Sequence, residues 1–414
     1  MLLSGGHLRP DPGCRRCIHE PRPMKPSLLK ISRFCAILVG LVLLASGLLK
    51  LLDPVGTGLI VQEYCRFLHL DFLSGVARWA GVALALLESV LGTALLTGVY
   101  RRATAVATQI LLAVFTLITI LLVVFKPEMD CGCFGEAVHL THSQSLLKNL
   151  ILLALVAVAF LPFKDLGEPK KRKYYAFWAV FAGLAVAAVY NQFHLPTVDF
   201  TEFAPGNELF ASRDDSPEEA DVFVAHVYER DAQTGLFPAN RLPDSTWTFV
   251  RLDTVSRNTL RLDARGALLS FRDAEGNYRD ADAARGKVVL LSAYEPERLD
   301  WTGVPAFIES VYSAGAVPML LVTDLSAVPA GLQDQAFAAD YKTLITLNRS
   351  NGGVTYLDDG LIVRKWHARA LPSEGDLSYF AGLDGIEGAV RSVNEGRLRA
   401  EGYLLYLLAV LILL

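Results

Sequence analysis

Five stretches of this chain are each apolar for about the length of a membrane-crossing helix, and they decide most of what it can fold into. They cover residues 34–52, 77–98, 103–125, 146–163 and 174–193. A hydrocarbon core about 30 Å thick takes roughly 20 helical residues, and only elements that satisfy their own backbone hydrogen bonds can cross it. The links between the stretches are short, so the first half reads as a compact α-helical transmembrane bundle. The second half is polar, and the 52% hydrophobic, 20% charged composition averages two unlike halves. That mixture excludes a disordered chain, a collagen-like repeat and a small disulfide scaffold. A net charge of −4, with no basic face carrying interleaved aromatics, points to no nucleic-acid partner.

Charge predicts the orientation. Lys and Arg crowd the segment before the first stretch (Arg9, Arg15, Arg16, Arg22, Lys25, Lys30, Arg33) and recur after the second (Arg101, Arg102). They return after the fourth, at Lys164 and Lys170 to Lys173. By the positive-inside rule the N-terminus is cytoplasmic and everything after Phe193 faces outward. A multi-pass protein of a bacterial cytoplasmic (inner) membrane, with residues 194–402 periplasmic, is the expectation. Residues 1–30 read as an unstructured leader, in which Met24 would itself be a normal start and Cys14 and Cys17 form a chance pair.

The third link reads Pro127-Glu-Met-Asp130-Cys131-Gly-Cys133-Phe-Gly135. Two thiols one residue apart, with glycines to permit a tight backbone, sit at the mouth of the bundle on its oxidising side. Three readings compete. One is a redox-active dithiol, with Cys131 and Cys133 exchanging and Cys65 of the first outward loop as a resolving thiol. A second is a metal site completed by His139 and His142. The third is a structural loop. Asp130 opposes thiolate formation, so activation has to come from elsewhere. Cys35, near the inner end of the first stretch, reads as a small packing side chain.

Two ionisable residues lie within the spans. Counted from Arg33 and Arg101 at 1.5 Å per residue, Lys50 and Glu88 lie about 25 and 20 Å from the inner face. A snorkelling lysine covers the difference, and an unpaired charge in lipid is costly. A Lys50–Glu88 ion pair beneath the cysteine loop is the expectation. Its alternative is that Lys50 reaches water and Asp53 while Glu88 finds a neighbouring helix.

Arg33, Ser46-Gly47, Lys50, Asp53-Pro54, Tyr64, Glu88 with Gly92, the run Asp130-Cys-Gly-Cys-Phe-Gly135 and Asn149 together resemble the DoxX/MauE family of membrane proteins. The resemblance covers about residues 30 to 165. It implies a four-helix membrane domain linked to sulfur or disulfide redox chemistry. DoxX relatives imply a thiosulfate–quinone oxidoreductase. MauE relatives imply methylamine utilisation (the methylamine metabolic process), with disulfide formation in a partner enzyme. The longer chain resembles the subset of the family fused to a fifth helix and a thioredoxin-like domain.

From Pro196 onward alternating and β-branched runs replace the apolar ones. Strands are expected at Val222–Val227, Trp247–Leu252, Ala267–Phe271, Lys287–Ser292 and Val317–Thr323, with a hairpin of Val354–Leu357 and Leu361–Trp366. Helices are expected at Val304–Ala314, Gln333–Tyr341 and Asp376–Val390. That order resembles an α/β thioredoxin-like soluble domain, but no cysteine follows Cys133, so it exchanges no dithiol by itself. Glu295, Glu297, Arg298, Asp300 and Trp301 occupy the face where such a domain grips a partner; the plainer reading is an acidic, solvated helix start.

The chain thus divides into a leader (1–30), a DoxX/MauE-like four-helix domain (31–165) and a basic loop with a fifth span (166–195). A strand-rich connector (196–262), a thioredoxin-like domain (263–395) and a short apolar C-terminal helix (396–414) follow. The expected function is support of thiol–disulfide or electron transfer in the envelope, with a periplasmic protein partner and a membrane quinone as electron partner. A non-catalytic assembly or adaptor role and metal handling are the alternatives.

Overall fold

The computed structural model describes residues 26–127, 129–160, 169–209, 222–230, 233–238, 248–256 and 268–412. The readings of the leader and of Cys14 and Cys17 lie outside them. Among the described residues six helices make the first half: α1 (Pro26–Leu52), α2 (Pro54–Phe67), α3 (Ala77–Thr97), α4 (Arg101–Phe125), α5 (His142–Phe160) and α6 (Lys171–Phe193). Five segments are long and apolar enough to span: Ser27–Leu52, Phe72–Thr97, Arg101–Phe125, His142–Phe160 and Lys171–Phe193. The sixth helix, α2, fills what reads as a loop. Asp53 ends α1 and caps α2, its Oδ1 accepting from Gly56 N at 2.9 Å, and Pro54 takes the first helical position, where it needs no donor.

Helices α1 and α3 pack closest. A Cβ on Gly47 would collide with Ser89 Oγ and the Ala85 carbonyl, so only glycine lets the two backbones meet there. At the far end, the Arg33 guanidinium donates to the carbonyls of Leu95 (3.0 Å) and Leu96, a cation on the C-terminal turn of α3. Threonines buried between helices return their hydroxyls to their own backbone, as Thr93 does to Ser89 O and Thr116 to Leu112 O. This is how a polar group is carried inside an apolar bundle.

Strand β1 (Cys133–Glu136) lies in the third link. The second half opens with an antiparallel three-stranded sheet, β2 (Val222–Arg230), β3 (Gln233–Pro238) and β4 (Thr248–Ser256), in the order β3-β2-β4. A six-stranded mixed sheet follows: β5 (Phe271–Arg272), β6 (Lys287–Ala293), β7 (Val317–Val322), β8 (Ala336–Ala339), β9 (Gly353–Asp358) and β10 (Leu361–Trp366). Its order is β10-β9-β6-β7-β8-β5, with β6, β7 and β8 parallel and the outer pairings antiparallel. Helices α7 (Val304–Ser313), α8 (Tyr341–Leu347), α9 (Glu374–Ala381) and α10 (Gly385–Ile412) complete it. The continuous apolar run of β6 is the mark of a strand covered on both faces. Val289 and Leu291 join the core under α7, and Val288 and Leu290 the core under α8.

Four expectations need correction. The helix placed at Asp376–Val390 is two, α9 and α10, parted at residues 382–384. Gln333–Tyr341 is not a helix: a 3₁₀ turn ends at Gln335, β8 follows, and α8 begins at Tyr341, capped by Asp340. Pairing with β7 overrides the helix preference of the alanines. The strand placed at Ala267–Phe271 is shorter and later, at Phe271–Arg272. The separate helix expected from residue 396 onward is, as far as Ile412, the end of α10, which is 28 residues long. Exposed i,i+4 pairs (Arg391–Glu387, Arg397–Glu401) hold its polar turns. Its apolar turns then pack on α6, where Leu407 meets Val180, Leu184 and Ala188 and Tyr406 Oη donates to Ala179 O at 2.9 Å.

Candidate functional site

The cysteine loop rests on the end of the bundle where α1 ends and α2 begins. Its backbone is pinned twice. Tyr64 Oη of α2 donates to the Cys131 carbonyl at 2.7 Å, and Ser46 Oγ of α1 lies 2.6 Å from the Cys133 carbonyl. Between the cysteines, Gly132 has φ +57°, and a Cβ there would run into the Ile60 side chain of α2. Any other residue would be strained and displaced at once. The loop therefore holds its two thiols in one backbone conformation.

Beneath it lies the ion pair. Lys50 Nζ is 2.5 Å from Glu88 Oε1, and both side chains are almost wholly buried, at 7% and 0% exposure. Glu88 Oε2 is 2.6 Å from Ser46 Oγ, one turn below Lys50 on α1, so the pair and the loop share a hydroxyl. Ser46 has one proton to give and two short acceptor contacts, so the Cys133 carbonyl and Glu88 compete for a single hydroxyl hydrogen. The Lys50 ammonium also lies 5.6 Å from the centre of the Phe115 ring.

The four described cysteines are free. Cys131 is buried at 6% exposure and Cys133 is half-buried. Burial pushes the Cys131 thiol above its ordinary value, and Cys133 and Asp130 add to that; the Ser145 hydroxyl and, more weakly, Lys148 of α5 pull the other way. Burial likewise raises the Tyr64 hydroxyl, keeping it a donor. Cys65 is buried on α2, and it follows Tyr64 by one position, about 100° around the helix, so the contact of Tyr64 with the loop does not carry Cys65 there. Cys35 is buried among α1, α3 and α5 side chains.

The structure does not assemble the Cys–His metal set. His139 Nδ1 faces Asp130 Oδ2 at 3.3 Å, and His142 Nε2 lies 3.0 Å from the Met129 carbonyl. Among the described residues no group of three or more His, Cys, Asp or Glu side chains is arranged to hold a metal ion.

Sequence reading missed the tie between the two halves. Arg349, between α8 and β9, reaches the end of the bundle with a side chain only 3% exposed. Its guanidinium meets Asp53 Oδ2 at 2.9 Å and Glu136 Oε1 of β1 at 3.3 Å. Burial works against that charge, yet the two carboxylates hold the Arg349 pKa above its ordinary value. Burial outweighs the arginine at Glu136, whose carboxyl is raised. An exposed Lys342–Glu63 pair at 2.8 Å lies beside it. The face at 295–301 is satisfied within itself. Arg298 pairs with Glu295, Asp300 accepts from Thr302, and Trp301 Nε1 donates back to Pro296 O. Asn351 clamps Glu295 through both its backbone groups, which sets this loop beside Arg349.

Comparison with known proteins agrees with this layout. The model of a family described as methylamine utilisation protein MauE matches residues 28–162. Over 184 residues the chain is 26% identical to Protein TlpB of Flavobacterium psychrophilum, an overlap of 42% of this chain and 48% of that protein. The chain spans about half the length of that curated relative. No solved structure matches. Residues 28–162 are thus similar to the MauE family, and five helices long and apolar enough to span fit a multi-pass membrane protein.

Proposed function

We propose that the protein carries out thiol–disulfide exchange in the bacterial envelope, with Cys131 and Cys133 as the exchanging pair. The observation that carries the reading is the loop itself: two free thiols flank a glycine at positive φ whose Cβ would run into Ile60, and both their carbonyls are held by hydroxyls from two helices. A loop that served only to connect α4 to α5 would need none of this. Half-buried Cys133 is the thiol a partner meets first, and Cys131, with Lys148 nearby, closes the pair.

In the exchange, a partner thiolate attacks the Cys131–Cys133 disulfide and forms a mixed disulfide, which its second thiol resolves. Two electrons and two protons leave the partner dithiol and arrive on the loop sulfurs. A membrane quinone, reduced to quinol, takes them away. The sheet order around β6, with a parallel neighbour and a closing antiparallel hairpin, supports a thioredoxin-like second half fused to a DoxX/MauE-like bundle. In this reading the loop end is periplasmic and the second half holds a partner against it.

One observation favours a different reading. Cys131 is buried and its thiol is raised, as befits a packed, structural sulfur in an assembly or adaptor protein. A mixed-disulfide trap separates the two. Cys131→Ser or Cys133→Ser should capture a partner through the remaining sulfur, and differential alkylation of the native chain should show both redox states. A pair found in one state only, with full function after double serine replacement, would leave the adaptor reading standing.

A further inference from the structure

A cavity of about 630 Å³ lies away from the cysteine loop, where α6 ends and α10 descends alongside it. Its walls are the end of α6 near Tyr190, the segment 194–205, strand β10 and the middle of α10. Most of the cations in it are already matched. Arg349 meets Asp53 and Glu136, Lys365 meets Asp199 at 2.6 Å, Arg364 meets Glu395, and Arg397 meets Glu401. Arg399 also lines it and has no carboxylate partner among the described residues. Nearby Arg369 has none either, and its guanidinium lies 4.9 Å from the Phe193 ring. The cavity thus carries an excess of positive charge.

Its position decides what that charge meets. Leu404 forms the wall where α10 turns apolar, and below it Leu405, Leu408 and Ile412 are exposed at 67%, 44% and 81%. These turns pack on α6, a helix long and apolar enough to span, so they lie at the depth of lipid chains. Apolar surface below and unmatched guanidinium above is the complement of an amphiphile with an anionic head. We propose that this cavity binds the phosphate headgroup of an anionic membrane lipid, with the acyl chains lying along the apolar turns of α10. The site is separate from the thiols and stands or falls independently of them.

The test uses the full chain in nanodiscs of phosphatidylcholine doped with phosphatidylglycerol, with lipid retention read by native mass spectrometry. Phosphatidylglycerol should be retained in preference to phosphatidylcholine, and Arg399→Gln should cut that preference about fivefold, the effect of one cation near an anionic lipid surface. Arg285→Gln, an exposed cation on the sheet domain, should leave it unchanged. Ala400→Phe fills the cavity without altering charge and should also abolish the preference. Equal loss in Arg399→Gln and Arg285→Gln, or full retention in Ala400→Phe, would overturn a built site in favour of bulk surface charge. Thermal stabilisation of the chain in detergent by inorganic phosphate alone, matching that by phosphatidylglycerol, would overturn the lipid in favour of a free anion. If Ala400→Phe does not fold, the headgroup comparison on the native chain and the two arginine variants still decide.

Discussion

The bundle and the sheet domain both bury apolar side chains, but they stand in opposite surroundings. The sheet domain is polar outside and closes on apolar side chains such as Leu290, Leu321 and Tyr356. The bundle is apolar outside and, beside an apolar core, also encloses Ser46, Lys50, Thr57, Glu88 and Asn149. In water a buried polar group competes with excellent solvation; in lipid its only partners are within the protein. Polar chemistry therefore gathers inside the half that looks least suited to it, and the half with ordinary composition supplies one arginine. The sharpest break of this contrast is to remove one member of the Lys50–Glu88 pair. Lys50→Met or Glu88→Met should cost about 3–5 kcal/mol and lower the detergent-solubilised melting temperature, because the other charge is stranded. The double Met variant should recover much of it. Singles as stable as the native chain would show that the pair carries no net interaction.

The tie between the halves comes next. Arg349→Met leaves Asp53 and Glu136 without their cation and should cost about 2–4 kcal/mol, less than the lipid-depth pair because Asp53 keeps its capping bond to Gly56. Limited proteolysis in the 193–200 region should accelerate, while the bundle itself stays folded. Arg349→Lys should recover only part, since an ammonium cannot bridge two carboxylates with the geometry of a guanidinium.

What was legible in the sequence follows the same division. The five spans were readable because lipid demands long apolar runs, and Lys50 and Glu88 stood out because charges there are rare. Helix α2 was missed although Asp53-Pro54 is a cap followed by a first-turn proline; its apolar content hid it as a loop. Arg349 and Glu136 gave no signal, being 213 positions apart. Only the fold makes them neighbours. Ser46 and Lys148 were visible as residues, but which of them would face the loop depends on helix rotation. In the second half β6, β7 and the β9–β10 hairpin were readable from their buried runs, whereas β8 is a strand only because β7 lies beside it.

Smaller effects sharpen the reading of the loop. Gly132→Ala adds a Cβ against Ile60 at a positive φ and should cost about 1–3 kcal/mol. A companion Ile60→Ala should relieve the contact but not the backbone strain, so rescue is partial. The thiols themselves report on pH. Because the Cys131 pKa is raised, its alkylation by iodoacetamide should lag behind that of a free thiol and climb at higher pH. Lys148→Gln removes a cation that favours the thiolate, so it should push the Cys131 profile further up. A Cys131 that alkylates fastest near neutral pH would contradict the burial that the structure gives it.

The least effect is expected where the two halves also touch but in water. Lys342–Glu63 has the shorter contact, 2.8 Å against 2.9 and 3.3 Å for the bonds of Arg349, so distance alone ranks it first. Yet the Lys342 side chain is 72% exposed and that of Arg349 3%. Solvent already stabilises the lysine, and holding a long chain in one geometry costs entropy. Lys342→Ala should therefore change the melting temperature by an amount matching at most about 0.2–1 kcal/mol, and 0.5 M salt should erase it. Arg349→Met should keep its full effect in the same salt. If both ties proved equally salt-sensitive, the junction would be a wet electrostatic contact rather than a buried one, and the two halves would be free to separate.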